Sequence, residues 1–249
     1  MKALTLAATL AAGLALPAHA LDLGAMTDAE REAFRDEVRA YLLENPEVLM
    51  EAFGVLEARQ ADEQAGSDLA MVEANAADLF ESETSWVGGN PDGDITIVEF
   101  VDYRCGYCRK AFPEVSQLVA DDGNIKLILK EFPILGEQST ASSRMALATK
   151  LALGDEAYKK VHDSLIAFRG EVNADSVKAL ASDLDLDGAA ILEKMNSNEV
   201  DAIIAENRAL AQRLQISGTP TFVVGGTMLR GYLPYDGMKN VVEQEREGG

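Results

Sequence analysis

Ile95-Thr96-Ile97-Val98-Glu99-Phe100-Val101, followed closely by Arg104-Cys105-Gly106-Tyr107-Cys108-Arg109-Lys110-Ala111-Phe112-Pro113, is the stretch that decides the fold. The first seven residues are a nearly continuous apolar run rich in β-branched side chains, the pattern of a central strand buried on both faces. Glu99 is the exception in it. The second segment reads as a loop entering a helix that Pro113 kinks. A C-x-x-C that follows a strand and opens a helix places its first sulfur against unpaired backbone N–H groups at the positive end of the helix dipole. This lowers a thiol pKa from its ordinary value of about 8.5. Cys105 is therefore the expected nucleophile. Cys108, one turn on, is placed to resolve a mixed disulfide or to close the ring. A structural disulfide across two intervening residues would close a very small loop and stabilise little. Half of a zinc site would need further ligands, and the only histidines are His19 and His162. Redox chemistry is the reading these residues favour.

Working outward, Ile125 to Phe132 reads as a second strand, and Ser139 to Gln215 as helical, with runs at Ala141–Leu153, Glu156–Phe168, Ala174–Leu184 and Ala189–Leu214. Thr221–Val224, Gly225-Gly226 and Thr227–Gly231 then form a hairpin, and Tyr235–Glu245 a last helix. Strand, helix, strand, helical insertion, hairpin and helix make an α/β sandwich. In Gly218-Thr219-Pro220-Thr221 a proline opens an apolar strand, which costs a ladder hydrogen bond unless the backbone there serves something else. A cis Thr219–Pro220 bond facing the cysteines would leave the Thr219 backbone free to pair with a peptide; an ordinary trans turn is the alternative. Glu99 lies six residues before Cys105. Buried, it would hold a raised pKa and relay protons to the resolving sulfur; on an edge it would be a solvated acid. Lys130 could pair with Glu99 or sit at a solvated strand end. Arg104, Tyr107 and Arg109 border the cysteines and could tune them or touch a substrate. His162 reads as a surface or packing residue. Asp183–Gly188 opens like a calcium loop, but its twelfth position is Lys194, so a helix end, turn and helix start explain it better.

The N-terminus has a different character. Met1-Lys2, an apolar run from Ala3 to Leu16 and Ala18-His19-Ala20 read as a cleaved secretory leader of residues 1–20, whose apolar run is shorter than the roughly 20 residues that span a bilayer. Residues 21–85 read as a helical extension with 17 acids against 4 arginines. Thr27-Asp28-Ala29-Glu30 has capping-box spacing, with Phe34, Val38, Tyr41 and Leu42 on one face behind it. Asn45-Pro46 should open a second helix striped with Leu49, Phe53 and Leu56, and Gly66-Ser67 should separate it from a third. Such narrow stripes must pack on the following domain or on copies of themselves. Residues 86–93, rich in Gly, Asn and Pro, read as a linker, and 94–249 as the main domain with its insertion at about 139–215. The whole chain of 249 residues has 22 basic against 42 acidic side chains and a net charge of −20, which excludes nucleic acid as a natural partner.

The strand with Glu99, the C-x-x-C opening a Pro-containing helix, the helical insertion and the Gly-Thr-Pro before a hairpin together resemble the thioredoxin-fold thiol–disulfide oxidoreductases of the DsbA type, over about Asp94 to Glu245. The resemblance implies an α/β thioredoxin fold with an inserted helical subdomain, preceded here by the N-terminal helical extension. It implies Cys105 as attacking cysteine, Cys108 as resolving cysteine, Glu99 as buried acid and Pro220 as cis-proline, with Thr219, Gly106 and Tyr107 contacting substrate and no cofactor or resident metal. Gly106-Tyr107 stands where the periplasmic oxidases carry Pro-His, and Thr219 where they carry Val. Both departures are similar to the DsbC isomerases, and the helical extension is similar to that of ScsC proteins. The implied function is a periplasmic disulfide isomerase or reductase. It would act on protein substrates, be served by a membrane redox partner and assemble as a homo-oligomer, a trimer by resemblance. A dithiol oxidase is the alternative. A Cu(I)-binding protein is the alternative of another class, which methionines near Cys105 would favour; none lies between Met71 and Met145.

Overall fold

The computed structural model describes residues 24–248, so the leader read at 1–20 lies outside the described residues. The chain divides into two compact units, one up to Arg59 and one from Gln60. In the first, α1 (Asp28–Glu44) opens on the expected capping box: Thr27 N–H donates to the Glu30 carboxylate at 2.8 Å, and Glu30 N–H donates to the Thr27 hydroxyl at 3.3 Å. Asn45 corrects one expectation. It closes α1 instead of opening the next helix, its backbone N–H and its Nδ2 both donating to Tyr41 O at 2.9 Å. After Pro46, α2 (Glu47–Ala74) runs unbroken through Gly66-Ser67, against the expected third start. An interior glycine costs a helix only about 1 kcal/mol, and just beyond it Asp68 and Val72 are buried. No residue of α1 is buried, and Phe34, Val38, Tyr41, Leu49, Phe53 and Leu56 are exposed.

The second unit continues with α3 (Ala76–Phe80) and β1 (Trp86–Gly89). β1 is a correction to the linker reading, because it pairs antiparallel along the second long strand from Trp86↔Leu129 to Gly89↔Lys126. Gly89 lets the chain leave that pairing. Its φ is +67°, and a Cβ would stand 2.3 Å from Ile125 O. Then follow β2 (Ile95–Val101), α4 (Gly106–Asp122), β3 (Ile125–Glu131), the helices α5 (Glu137–Leu153), α6 (Asp155–Ala167), α7 (Ala174–Asp183), α8 (Gly188–Lys194) and α9 (Asn198–Arg213), the hairpin β4 (Thr221–Val224) and β5 (Thr227–Arg230), and α10 (Tyr235–Gly248). The run expected as one helix from Ala189 to Leu214 is two, because Ser197 caps a new start by accepting from Val200 N–H at 3.3 Å. The calcium-like segment is a helix start as well: the Asp187 carboxylate accepts from the Ala189 and Ala190 N–H groups at 2.9 and 3.1 Å.

The five strands lie in the order β1-β3-β2-β4-β5, with only β2 and β3 parallel, joined through α4. Side chains alternate across this sheet. Ile97 faces Ala111, Val115 and Leu118 of α4 and Met238 and Val242 of α10, while Val98 and Phe100 face Val72, Leu79, Leu210 and Leu214. A third core fills the helical insertion and reaches Val101, Tyr103, Cys105 and Cys108. The central strand is thus buried on both sides, as its composition demands. No helix among the described residues is long and apolar enough to cross a membrane.

Candidate active site

The two cysteines sit where β2 hands the chain to α4. Cys105 is the N-cap, its N–H donating to Asp102 O at 3.0 Å, and Gly106 begins the helix. The N-terminal end of α4 is therefore aimed at its sulfur. Both thiols are free and buried, Cys105 7% exposed and Cys108 fully enclosed. The Cys105 thiol is driven down to about 5, chiefly by the hydrogen bond that the Cys108 thiol gives the ionised sulfur. Thr219 and the Cys108 and Tyr107 backbone N–H groups assist, against the cost of burial. The Cys108 thiol moves the other way, far above the ordinary thiol range, because it is the donor in that bond, because it is buried and because Glu99 is near. One sulfur is held as an anion and the other as its proton donor.

The segment before β4 comes to the same sulfur. In its protonated form Cys105 Sγ donates to Thr219 O at 3.1 Å, and the Thr219–Pro220 peptide is cis. Tyr107 projects outward at 62% exposure and stacks on Tyr232 at 6.2 Å between ring centroids.

Glu99 lies on the cysteine side of β2, sharing its face with Ile97 and Val101. It is 5% exposed, and burial, then the charges of Glu131 and Cys105, push its carboxyl up to about 8. Glu131 was not anticipated. In the parallel register it stands opposite Val101, one pleat along from Glu99 on the same face. Its Oε1 accepts from Tyr103 OH at 2.7 Å and Tyr158 OH at 2.6 Å, and burial outweighs these donors to raise it to about 7. Tyr103 OH also meets His162 Nδ1 at 2.9 Å. His162 is a buried packing residue, pushed down to about 3 by desolvation and so neutral. Lys130 is not the partner of Glu99. It stands opposite Phe100 and so faces the other side of the sheet, where its Nζ donates to Asp78 O at 2.6 Å.

These buried acids carry a stability prediction. Glu99 titrates higher folded than in an unfolded chain, so its folded form binds the extra proton and stability falls as pH rises from about 4.5 to about 8. Glu99→Gln should therefore be on the order of a few kcal/mol more stable than the natural protein at pH 8.5 and nearly equal to it at pH 5. Urea unfolding at the two pH values reads the difference, and a constant offset at both would contradict it.

Comparison with known proteins agrees with this geometry. Residues 96–243 match the DSBA-like thioredoxin domain, and residues 30–63 match the N-terminal domain of the copper resistance protein ScsC. A thioredoxin-like oxidoreductase from Silicibacter pomeroyi superposes with a TM-score of 0.64 and 38% identity, over 69% of this chain and 97% of that one. BcfH of Salmonella enterica Typhimurium superposes with a TM-score of 0.70 and 28% identity, over 87% and 96%. The Na(+)/H(+) antiporter NhaA 1 of Salinispora arenicola is 33% identical over 56% of this chain, which spans about a fifth (21%) of that relative's length. With the strand, the helix-capping cysteine pair and more than half of its length matching one family, this chain belongs to the DsbA-like thioredoxin domain family of thiol–disulfide oxidoreductases.

Proposed function

We propose that this protein is an extracytoplasmic protein-disulfide reductase or isomerase, with Cys105 attacking and Cys108 resolving. The observation that carries the reading is the Cys105 sulfur at the start of α4, in contact with Thr219 O and stabilised as a thiolate over an enclosed Cys108 thiol. The Cys105 thiolate attacks one sulfur of a client disulfide. A Cys105–client S–S bond forms, the client S–S bond breaks, and the other client sulfur leaves as a thiolate. Cys108 has then lost the anion to which it donated, so the main cause of its raised pKa is gone. Glu99 has lost the Cys105 charge that helped raise its carboxyl, and its ionised fraction takes the Cys108 proton, so the Cys108 thiolate attacks Cys105 Sγ. This releases the client reduced by two electrons and leaves a Cys105–Cys108 disulfide. A membrane redox partner of unknown identity would supply the electrons to reduce it again. If instead a different client thiolate attacks the client sulfur bonded to Cys105 before Cys108 acts, a new client S–S bond forms, Cys105 leaves as a thiolate, and the client is rearranged with no net redox change.

Gly106-Tyr107 between the cysteines and Thr219 before Pro220 support the isomerase or reductase direction. The ScsC-like match over residues 30–63 supports homo-oligomerisation through residues 21–85, as a trimer, which would gather several cysteine pairs around one client. The leader-like residues 1–20 and the family's thiol chemistry support the periplasm. The test is carbamidomethylation of the reduced protein across pH. A single reactive thiol, Cys105, is expected, with its rate following a midpoint near 5. A midpoint near 8.5, as for a free thiol, or faster labelling of Cys108, overturns the assignment.

A further inference from the structure

Four cations cluster by sequence and contact near the Cys105 end of α4, in a chain whose net charge is −20, with Arg109 within electrostatic reach of Cys105, Arg104 and Arg169. Arg104 precedes the cysteine, and Arg109 and Lys110 lie in the first turns of α4. The Arg104 guanidinium donates to Gly170 O at 2.7 Å and to Gln138 Oε1 at 3.2 Å. Arg109 donates to Tyr103 O and to Phe168 O, both at 2.8 Å. Phe168 and Gly170 flank Arg169, which is exposed. Two arginines that bracket the cysteine thus clasp the carbonyls on either side of a third. Lys110 is exposed, with its Nζ 4.3 Å from the centroid of the Tyr232 ring on which Tyr107 stacks.

Every contact given above for these side chains is to a neutral group. Among the described residues none of the four forms an ion pair, whereas Arg144, Arg213, Arg230 and Arg246 each meet a carboxylate. Asp102, the acid next to Arg104 in sequence, is fully buried, and its carboxylate accepts from the Arg104, Ile134 and Leu135 backbone N–H groups. The Asp102 carboxylate and the Cys105 sulfur offset part of the charge felt by Arg109, and Glu114 meets the hydroxyl of the Tyr232 ring under Lys110, but four cations against these few acids leave a positive excess that an outside anion would offset. The Cys105 thiolate supplies part of that anion at rest. It is consumed when a mixed disulfide forms, so the rim is left without it while a client is attached.

Resting on the oxidoreductase reading, we propose that Arg104, Arg109, Lys110 and Arg169 form a recognition rim for client polypeptides that carry carboxylates beside the reacting cysteine. A client Asp or Glu one or two residues from its disulfide replaces the consumed thiolate as the rim's counter-charge. The exchange is the one already balanced: the Cys105–client bond forms as the client S–S bond breaks, and the client's second sulfur leaves as a thiolate. The rim adds no redox step. It raises the encounter rate with acidic segments and lengthens the life of their mixed disulfides.

The experiment uses the reduced full-length protein and two fluorogenic peptide disulfides that differ only in Glu or Lys on either side of the cysteine. Each rate is divided by that of dithiothreitol with the same peptide. At low salt the Glu peptide should react about tenfold faster than the Lys peptide. The ratio should shrink to within about twofold near 0.5 M salt, where the screening length is only a few ångströms. Replacing both Arg169→Gln and Lys110→Gln should cut the low-salt ratio at least threefold or so. Equal low-salt rates for the two peptides overturn the rim and leave the oxidoreductase reading standing. No reaction with either peptide overturns the oxidoreductase reading and the rim with it. Rates that rise with salt for both peptides would mean that an acidic segment of this chain occupies the rim, which also overturns the proposal.

Discussion

The Cys105→Ser protein is expected to lose disulfide exchange by about a thousandfold or more, a loss of the size seen when an enzyme's nucleophile is removed. A serine hydroxyl keeps its proton at neutral pH however well the helix end is aimed, so the donors that make the Cys105 sulfur an anion have nothing to stabilise. Cys108 cannot stand in for it. It is fully enclosed, and burial beside Glu99 holds its proton. The Cys108→Ser protein should behave differently. Its Cys105 still attacks, and without a resolving thiol the client adduct accumulates. Two measurements read this: insulin reduction by each variant, and non-reducing gels of each after exposure to a disulfide-bonded client. Adducts on Cys105→Ser, or none on Cys108→Ser, would reverse the two roles.

Light scattering on the full chain is expected to give an oligomer, a trimer on the ScsC-like match, and a protein starting at Gln60 is expected to be monomeric. The reason is the surface that α1 and the start of α2 leave in water. Phe34 is 45%, Tyr41 54% and Phe53 58% exposed on helices that bury nothing before Asp68. Contiguous apolar surface of this kind marks an association site. Residues 21–85, which include this surface, hold 17 acids against 4 arginines, whose repulsion salt screens, so moderate salt should tighten the assembly. The shortened protein should keep insulin reduction within about twofold, since the cysteines, Glu99 and Thr219 all lie in the unit that begins at Gln60. It should lose about tenfold or more of its ability to reactivate a scrambled client, because clustered sites are gone. A monomeric full chain at micromolar concentration would remove the oligomer and, with it, the argument for isomerisation.

What could be read from the sequence follows the range over which each signal acts. The capping box at Thr27, the buried run of β2, the cysteine pair at a helix start and the Gly225-Gly226 hairpin are local patterns, and all four stand in the structure. The cis Thr219–Pro220 bond was legible too, from a proline where a strand begins. Features that depend on distant partners were not. Trp86–Gly89 reads as part of a linker until β3, some forty residues on, supplies its ladder. Gly66 reads as a helix break until the burial of Val72 shows what holds α2 together there. Glu131, Tyr103 and His162 meet across 28 and 59 residues of sequence, and no spacing rule joins them. Lys130 could have been excluded as the Glu99 partner by strand parity alone, but only once the register of β2 and β3 was known.

The short strands at the margins of the sheet have a consequence for the proposed exchange with polypeptide disulfides. A free sheet margin is a template on which a sticky, extended polypeptide can add itself as another strand, and aggregation starts there. Both outer strands here, β1 and β5, are only four residues long. β1 stops at Gly89 with a left-handed backbone and runs into Asn90-Pro91, and β5 ends on Arg230, whose guanidinium is tied to Asp68 at 2.7 Å. Neither offers a client enough backbone to zip onto. A client tethered through its sulfur, as proposed, would therefore find no sheet margin to extend, and could depart without having nucleated a fibre on the protein that released it.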